Sequence, residues 1–169
     1  MLDNRILITY SRAHRNRNDH EDWNTAKLFR TGSEFLRENS DRDNFFLWMD
    51  CFDPHEPWDI PPEFARLYSD DPDYDGLIDP RALVIKDHTD MTAKAKKRIQ
   101  NLYAGKVTWV DHWLGTFLDT LDETGLSENT AVILTADHGT NLYEPINKRF
   151  GKSWPVRQPE AHTPFIVNI

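Results

Sequence analysis

A single cysteine in 169 residues excludes an internal disulfide and any multi-cysteine zinc or iron–sulfur centre, so packing must hold the fold. No window approaches the roughly 18 apolar residues of a membrane-spanning helix. The opening Met1-Leu2-Asp3-Asn4-Arg5 lacks the basic start and apolar stretch of a signal peptide. Neither feature is present to assign a compartment, and the localisation stays unknown. Positive charge is also short, with 20 Lys and Arg against 28 Asp and Glu for a net −8, so no basic field draws in nucleic acid or anionic lipid. Glycine numbers only 7 and apolar residues reach 38%, a composition with a thin core. The length allows one domain or part of one, and no second domain is expected within residues 1–169.

What is present alternates short apolar runs with longer amphipathic ones, the pattern of a layered α/β domain. Arg5–Tyr10 reads as a strand and Ser11–Asp22 as an exposed loop. Trp23, Ala26, Phe29, Ser33 and Leu36 recur every three or four residues and predict a helix over about 22–37. Phe45–Asp50 is a nearly continuous apolar run expected as a buried strand. Prolines 54, 57, 61, 62, 72 and 80 then break regular structure, leaving a short helix near Phe64–Tyr68 and an acidic turn over Asp70–Gly76. One long helix is expected over about 92–124, capped by Asp90 or Thr92 and stopped by Gly125, with an apolar stripe that includes Ile99, Leu102, Trp113, Phe117 and Leu121. Asp111 reads as the edge of that stripe. Ala131–Ala136 and Thr163–Ile169 are expected as further buried strands. Three or four strands are few for a buried parallel sheet, which suggests part of a larger domain.

Two strand ends carry chemistry. Asp137-His138-Gly139 follows Ala131–Ala136 directly, so a carboxylate and an imidazole stand where open α/β sheets bind ligands, and both can reach one cation. An Asx turn beside a surface histidine explains the same letters equally well. Asp53-Pro54-His55-Glu56-Pro57-Trp58 follows the other strong strand, with prolines on both sides of an imidazole suited to anion contact or proton transfer, and Trp58 as either a wall or a core residue. Lys152, after Gly151, can bring a cation to an anion. Cys51 reads as a core cysteine, because its neighbours Asp50 and Asp53 disfavour a thiolate.

The order of these segments is specific. Pro54-His55-Glu56-Pro57 comes first, then Tyr103-Ala104-Gly105-Lys106-Val107 with Val110-Asp111. Asn129-Thr130 through Asp137-His138-Gly139 follows, then Gly151-Lys152 and His162-Thr163-Pro164. This series, from about Thr25 to Ile169, resembles the sulfatase family within the alkaline-phosphatase-like superfamily. The resemblance implies a partial alkaline-phosphatase-like sandwich, with a mixed, mostly parallel sheet flanked by helices. It implies hydrolysis of sulfate esters, of small molecules or glycans, through a covalent sulfo-enzyme on a formylglycine. Asp137 and His138 correspond to two metal ligands, with calcium expected and manganese or zinc as options. His55 corresponds to a histidine contacting the sulfate or leaving-group oxygen, and Lys152 to the lysine that clamps the sulfate.

The chain departs from the family where the nucleophile belongs. Formylglycine is made in Cys/Ser-x-Pro-x-Arg, whereas Cys51-Phe52-Asp53-Pro54-His55 has its proline one place late and no arginine. No pair of metal-binding carboxylates follows an apolar run ahead of Asp41. The amino-terminal part of the domain, with the formylglycine segment, is therefore expected to be missing, and the chain alone is expected to be inactive. Two alternatives remain at this point. One is a phosphomonoester, phosphodiester or phosphonate hydrolase of the same superfamily; the other is a noncatalytic binding protein that keeps the fold.

Overall fold

The structure, a computed structural model, describes residues 17, 19–69, 91–146 and 148–169. The expected strand Arg5–Tyr10, residues 11–16 and 18 of the loop Ser11–Asp22, the acidic turn Asp70–Gly76 and the alternative cap Asp90 lie outside the described residues.

Two helices make the frame. The first, α1 (Asn24–Glu38), buries Thr25, Ala26, Phe29, Gly32, Ser33 and Leu36, the face that the three-and-four spacing marks. After the short α2 (Pro62–Arg66), which opens on a proline whose missing N–H is not needed in a first turn, comes α3 (Ala93–Glu123). The Thr92 hydroxyl caps α3 by accepting from the Ala95 N–H at 3.1 Å, and Gly125, at φ +73°, turns the chain out of it.

Different stretches of α3 serve different partners. Trp109, Trp113, Phe117 and Leu121 pack with Ala26, Phe29 and Leu36 of α1. Ile99 and Leu102 pack with Trp58, Ile60, Met91 and Phe150 from the proline-rich loop and the chain near the carboxyl end. Trp109, absent from the expected stripe, is fully buried, while Asp111 is exposed at the stripe's edge. The helix therefore joins the α1 layer to the loop that carries His55.

The strands differ from expectation. β1 (Val132–Thr135) pairs antiparallel with β4 (Phe165–Asn168), Val132 opposite Asn168 and Thr135 opposite Phe165. β2 (Asn141–Leu142) pairs antiparallel with β3 (Phe150–Gly151). Among the described residues there is thus no mostly parallel sheet, only two antiparallel pairs. Against the expectation of buried strands, Ile133, Leu134, Phe165, Ile166 and Val167 of β1 and β4 are exposed. Phe45–Asp50 has no ladder partner among the described residues: Phe45, Leu47 and Met49 pack on the helical core, while Phe46 and Trp48 are 84% and 73% exposed. The physical reason is common to all three runs. An apolar strand is buried on both faces only where two layers cover it; among the described residues the helices cover one face of Phe45–Asp50 and only Val132 of β1, and β4 is exposed throughout.

Candidate active site

The His55 loop is built on prolines. Pro54 and Pro57 remove two backbone donors, so the loop closes on itself through His55 N–H to the Phe52 carbonyl at 3.1 Å and Trp58 Nε1–H to the Pro54 carbonyl at 3.1 Å. Trp58 is fully buried against Tyr103 and Phe150, so it is a core anchor and not a wall of the site. Phe52 lies over the His55 ring with centroids 4.4 Å apart. His55 Nδ1 is 2.6 Å from the Glu56 carbonyl oxygen, which can only accept. Nδ1 therefore carries a proton, and in the neutral ring Nε2 keeps its lone pair. That nitrogen lies 3.0 Å from Lys152 Nζ, which donates to it.

Lys152 arrives from β3, where Gly151 adopts φ +73°; a Cβ there would meet Glu56 Oε1 at 3.5 Å. The segment after it is fixed by Glu160 of α4 (Gln158–Ala161), a buried acid that sequence reasoning passed over. Its carboxylate accepts from Ser153 N–H, from Ser153 Oγ and from Arg157 N–H at 3.0 Å. Burial works to raise its pKa, but the hydrogen bonds from Ser153, Arg157 and Asn141 outweigh that and hold it at about 2. Asn141 in turn donates to the Gly151 carbonyl at 2.7 Å, tying β2 to the residue before Lys152.

Asp137 and His138 stand just beyond β1. The His138 ring centroid is 6.1 Å from that of His55, so the structure brings His55, Lys152 and His138 together from three separated segments. His138 Nδ1 lies 2.8 Å from the Gly139 carbonyl, which leaves Nε2 as the lone-pair nitrogen. Asp137 Oδ1 accepts from His138 N–H at 2.9 Å, and its Oδ2 lies 3.5 Å from His138 Nε2. The two atoms are close enough to bind one cation at roughly 2.0–2.6 Å each. Among the described residues no group of three or more His, Cys, Asp or Glu side chains converges as a metal site, so these two fit part of a coordination sphere and not a whole one.

Other nucleophile candidates are occupied. Burial first, and the Asp53 carboxylate second, push the Cys51 thiol up, as its neighbours suggest. The Thr25 hydroxyl donates to Asp53 Oδ2. The expectation that no serine fits Cys/Ser-x-Pro-x-Arg is corrected by the run Ser153-Trp154-Pro155-Val156-Arg157, which has that spacing. Ser153 follows Lys152, and its hydroxyl is bound to Glu160, where it helps hold this segment. The described residues therefore do not fit a formylglycine at the expected place.

Comparison with known proteins agrees with the motif series. The family model described as Sulfatase matches residues 2–168, starting earlier than the motif series does. An arylsulfatase of Clostridium perfringens is 29% identical over 144 residues, covering 79% of this chain and 29% of that protein. An endo-4-O-sulfatase of Bacteroides thetaiotaomicron is 28% identical over 168 residues, covering 90% of this chain and 30% of that protein. The human iduronate 2-sulfatase is 28% identical over 123 residues, covering 59% and 22%. The chain thus spans less than a third of these relatives' lengths. No helix among the described residues is long and apolar enough to cross a membrane. With a family match over nearly all of its length, and with histidine, lysine and aspartate–histidine motifs meeting in space, the chain belongs to the sulfatase family.

Proposed function

We propose that this chain is the sulfate-holding part of a sulfatase catalytic domain, acting on sulfate monoesters of phenols or sugar hydroxyls. The observation that carries the reading is the 3.0 Å contact of Lys152 Nζ with His55 Nε2, with His138 beside them. An ammonium and an imidazole that share a proton, open to solvent on one side, match a tetrahedral oxyanion whose ester oxygen leaves with negative charge. Lys152 turns its donors to the sulfate oxygens, and His55, after taking a proton at Nε2 from Lys152 across their contact, passes that proton to the leaving oxygen as the S–O bond breaks. The Nδ1–H bond to the Glu56 carbonyl keeps the ring oriented throughout.

Asp137 and His138 would hold a divalent cation, with calcium preferred because a carboxylate and further oxygen ligands suit it, and manganese or zinc compatible with the imidazole. When bound, such a cation neutralises charge on the sulfate oxygens. The remaining ligands and the nucleophile are assigned to sequence outside these 169 residues, together with the strands that would complete a mostly parallel sheet and sandwich. The names of the relatives, an arylsulfatase and an endo-4-O-sulfatase, point to aryl sulfates and sulfated glycans as substrates.

The test compares an aryl sulfate with the matching aryl phosphate, using a protein that contains this chain and a nucleophile segment. Sulfate turnover is expected to exceed phosphate turnover, and to fall on Lys152→Ala or His55→Ala. Preference for the phosphate refutes the reading in favour of a phosphohydrolase, and absence of either activity favours a binding protein.

A further inference from the structure

We propose that Lys106, on the face of α3 beneath the loop, is a positioning residue for His55. The proposal rests on the reading of His55 as the group that meets the leaving oxygen. Lys106 is 3% exposed, and a buried ammonium is costly unless every donor is matched. Here each of its three protons has an acceptor: the Pro57 carbonyl at 2.7 Å, the His55 carbonyl at 3.1 Å and Asp53 Oδ1 at 2.7 Å.

The need for such a donor follows from the sequence of the loop. With prolines at 54 and 57, the segment has lost N–H groups that could pair its own carbonyls, so the His55 and Pro57 carbonyls take their donor from outside. Asp53 is held from the other side by the Thr25 hydroxyl of α1. Asp59, whose Oδ1 is 3.9 Å from Lys106 Nζ, is gripped by Arg17 at 3.2 Å through Oδ2. One cation on a rigid helix thus fixes the backbone on both sides of the imidazole, and the His55 ring projects from that clamp to Lys152. A methionine at this place would pack against the same neighbours without a desolvation cost, so the charge itself needs this explanation. Displacing a reacting group by about 1 Å is enough to lower a rate about a hundredfold.

The experiment follows the His55 ring by nitrogen and carbon NMR in wild type, Lys106→Met and Lys106→Arg. Leu121→Ala serves as a control, because it weakens the α1–α3 core far from the loop. Wild type is expected to show one ring tautomer, with the proton on Nδ1. Lys106→Met is expected to average the two tautomers and to lower aryl sulfate kcat by about tenfold or more with a smaller change in KM. Lys106→Arg is expected to restore part of both, and Leu121→Ala to lower Tm while leaving the ring signals in place. An unchanged ring in folded Lys106→Met, or an equal ring change in Leu121→Ala, overturns the proposal.

If Lys106→Met does not fold, the wild-type ammonium still decides. Its protons are expected to exchange with water at least about tenfold more slowly than those of exposed Lys27, as three internal acceptors require. Equal exchange overturns the clamp. The ring and ammonium measurements need neither substrate nor metal. Loss of Lys106 control is therefore distinguishable from failure of the sulfatase reading, which shows as absent sulfate turnover in wild type.

Discussion

Replacing Glu160 by Gln should unfasten the segment that carries Lys152, and should do so only where the carboxylate is ionised. In the native protein one oxygen accepts from Ser153 N–H, and the other from Ser153 Oγ and from Arg157 N–H at 3.0 Å. An amide has only one oxygen, so in either orientation its NH2 group faces a backbone N–H, donor against donor. Losing one charge-assisted bond costs about 1.5–3 kcal/mol. The carboxyl pKa gives a second route to the magnitude. Its fall from the ordinary 4.5 to about 2 corresponds to about 3 kcal/mol as an upper bound. The carboxylate lies beneath the exposed stretch Trp154–Gln158, close enough to solvent for screening to reduce that, so about 2 kcal/mol is expected.

The sign follows from the direction of the shift. A depressed carboxyl pKa contributes stability that is complete above about 4.5 and is lost as pH falls toward 2. Urea denaturation of Glu160→Gln and wild type at pH 7 should therefore differ by about 2 kcal/mol, or about 4–8 °C in Tm, and the gap should narrow steadily below pH 4.5. Equal stability at pH 7, or a gap that does not change with pH, refutes the assignment of Glu160 as an ionised anchor.

Lys152→Ala and His55→Ala should each lower aryl sulfate turnover at least about tenfold, about 1.4 kcal/mol of transition-state stabilisation, in a protein that also contains the nucleophile segment. The 169-residue chain alone should show no sulfate turnover and only weak cation binding. It should also self-associate through the exposed Phe46, Trp48, Ile133 and Phe165, as seen by sedimentation. Metal-dependent turnover by a monodisperse monomer would refute this and send the search for a nucleophile to Ser11, Thr25, Ser33, Thr135 and Thr140. Gly105→Ala should destabilise by about 1–3 kcal/mol in urea, because its Cβ would lie 2.5 Å from the Phe64 carbonyl oxygen and 2.8 Å from Ile60 Cδ1, where α2 crosses α3.

The amino-acid sequence by itself determined the two long helices and the inventory of the site; α2 lies at Pro62–Arg66, two residues ahead of its expected place, and α4 was not legible. Helical periodicity is a local property, set by side chains three and four apart, so Ala26, Phe29, Ser33 and Leu36 marked the buried face of α1, though Trp23, read onto the same face, is its N-cap; Gly125 marked the end of α3, and Thr92 its start as one of two candidate caps. The order of His55, Asp137-His138 and Lys152 along the chain was enough to suggest the family. Strand burial was not legible in the same way. The apolar letters of Phe45–Asp50, β1 and β4 fix what a strand would like to bury, but a second covering layer is a long-range fact. Their exposure and the antiparallel pairing of β1 with β4 came only from the tertiary structure. The supports of the site were hidden for a related reason. Nothing adjacent in the chain sets Lys106 or Glu160 apart from a solvated charge, or says that an ammonium will be buried under carbonyls some 50 residues earlier, or a carboxylate under a turn. Only folding, which matches donors and acceptors across that separation as it removes them from water, turns those charges into the frame that sets His55 against Lys152.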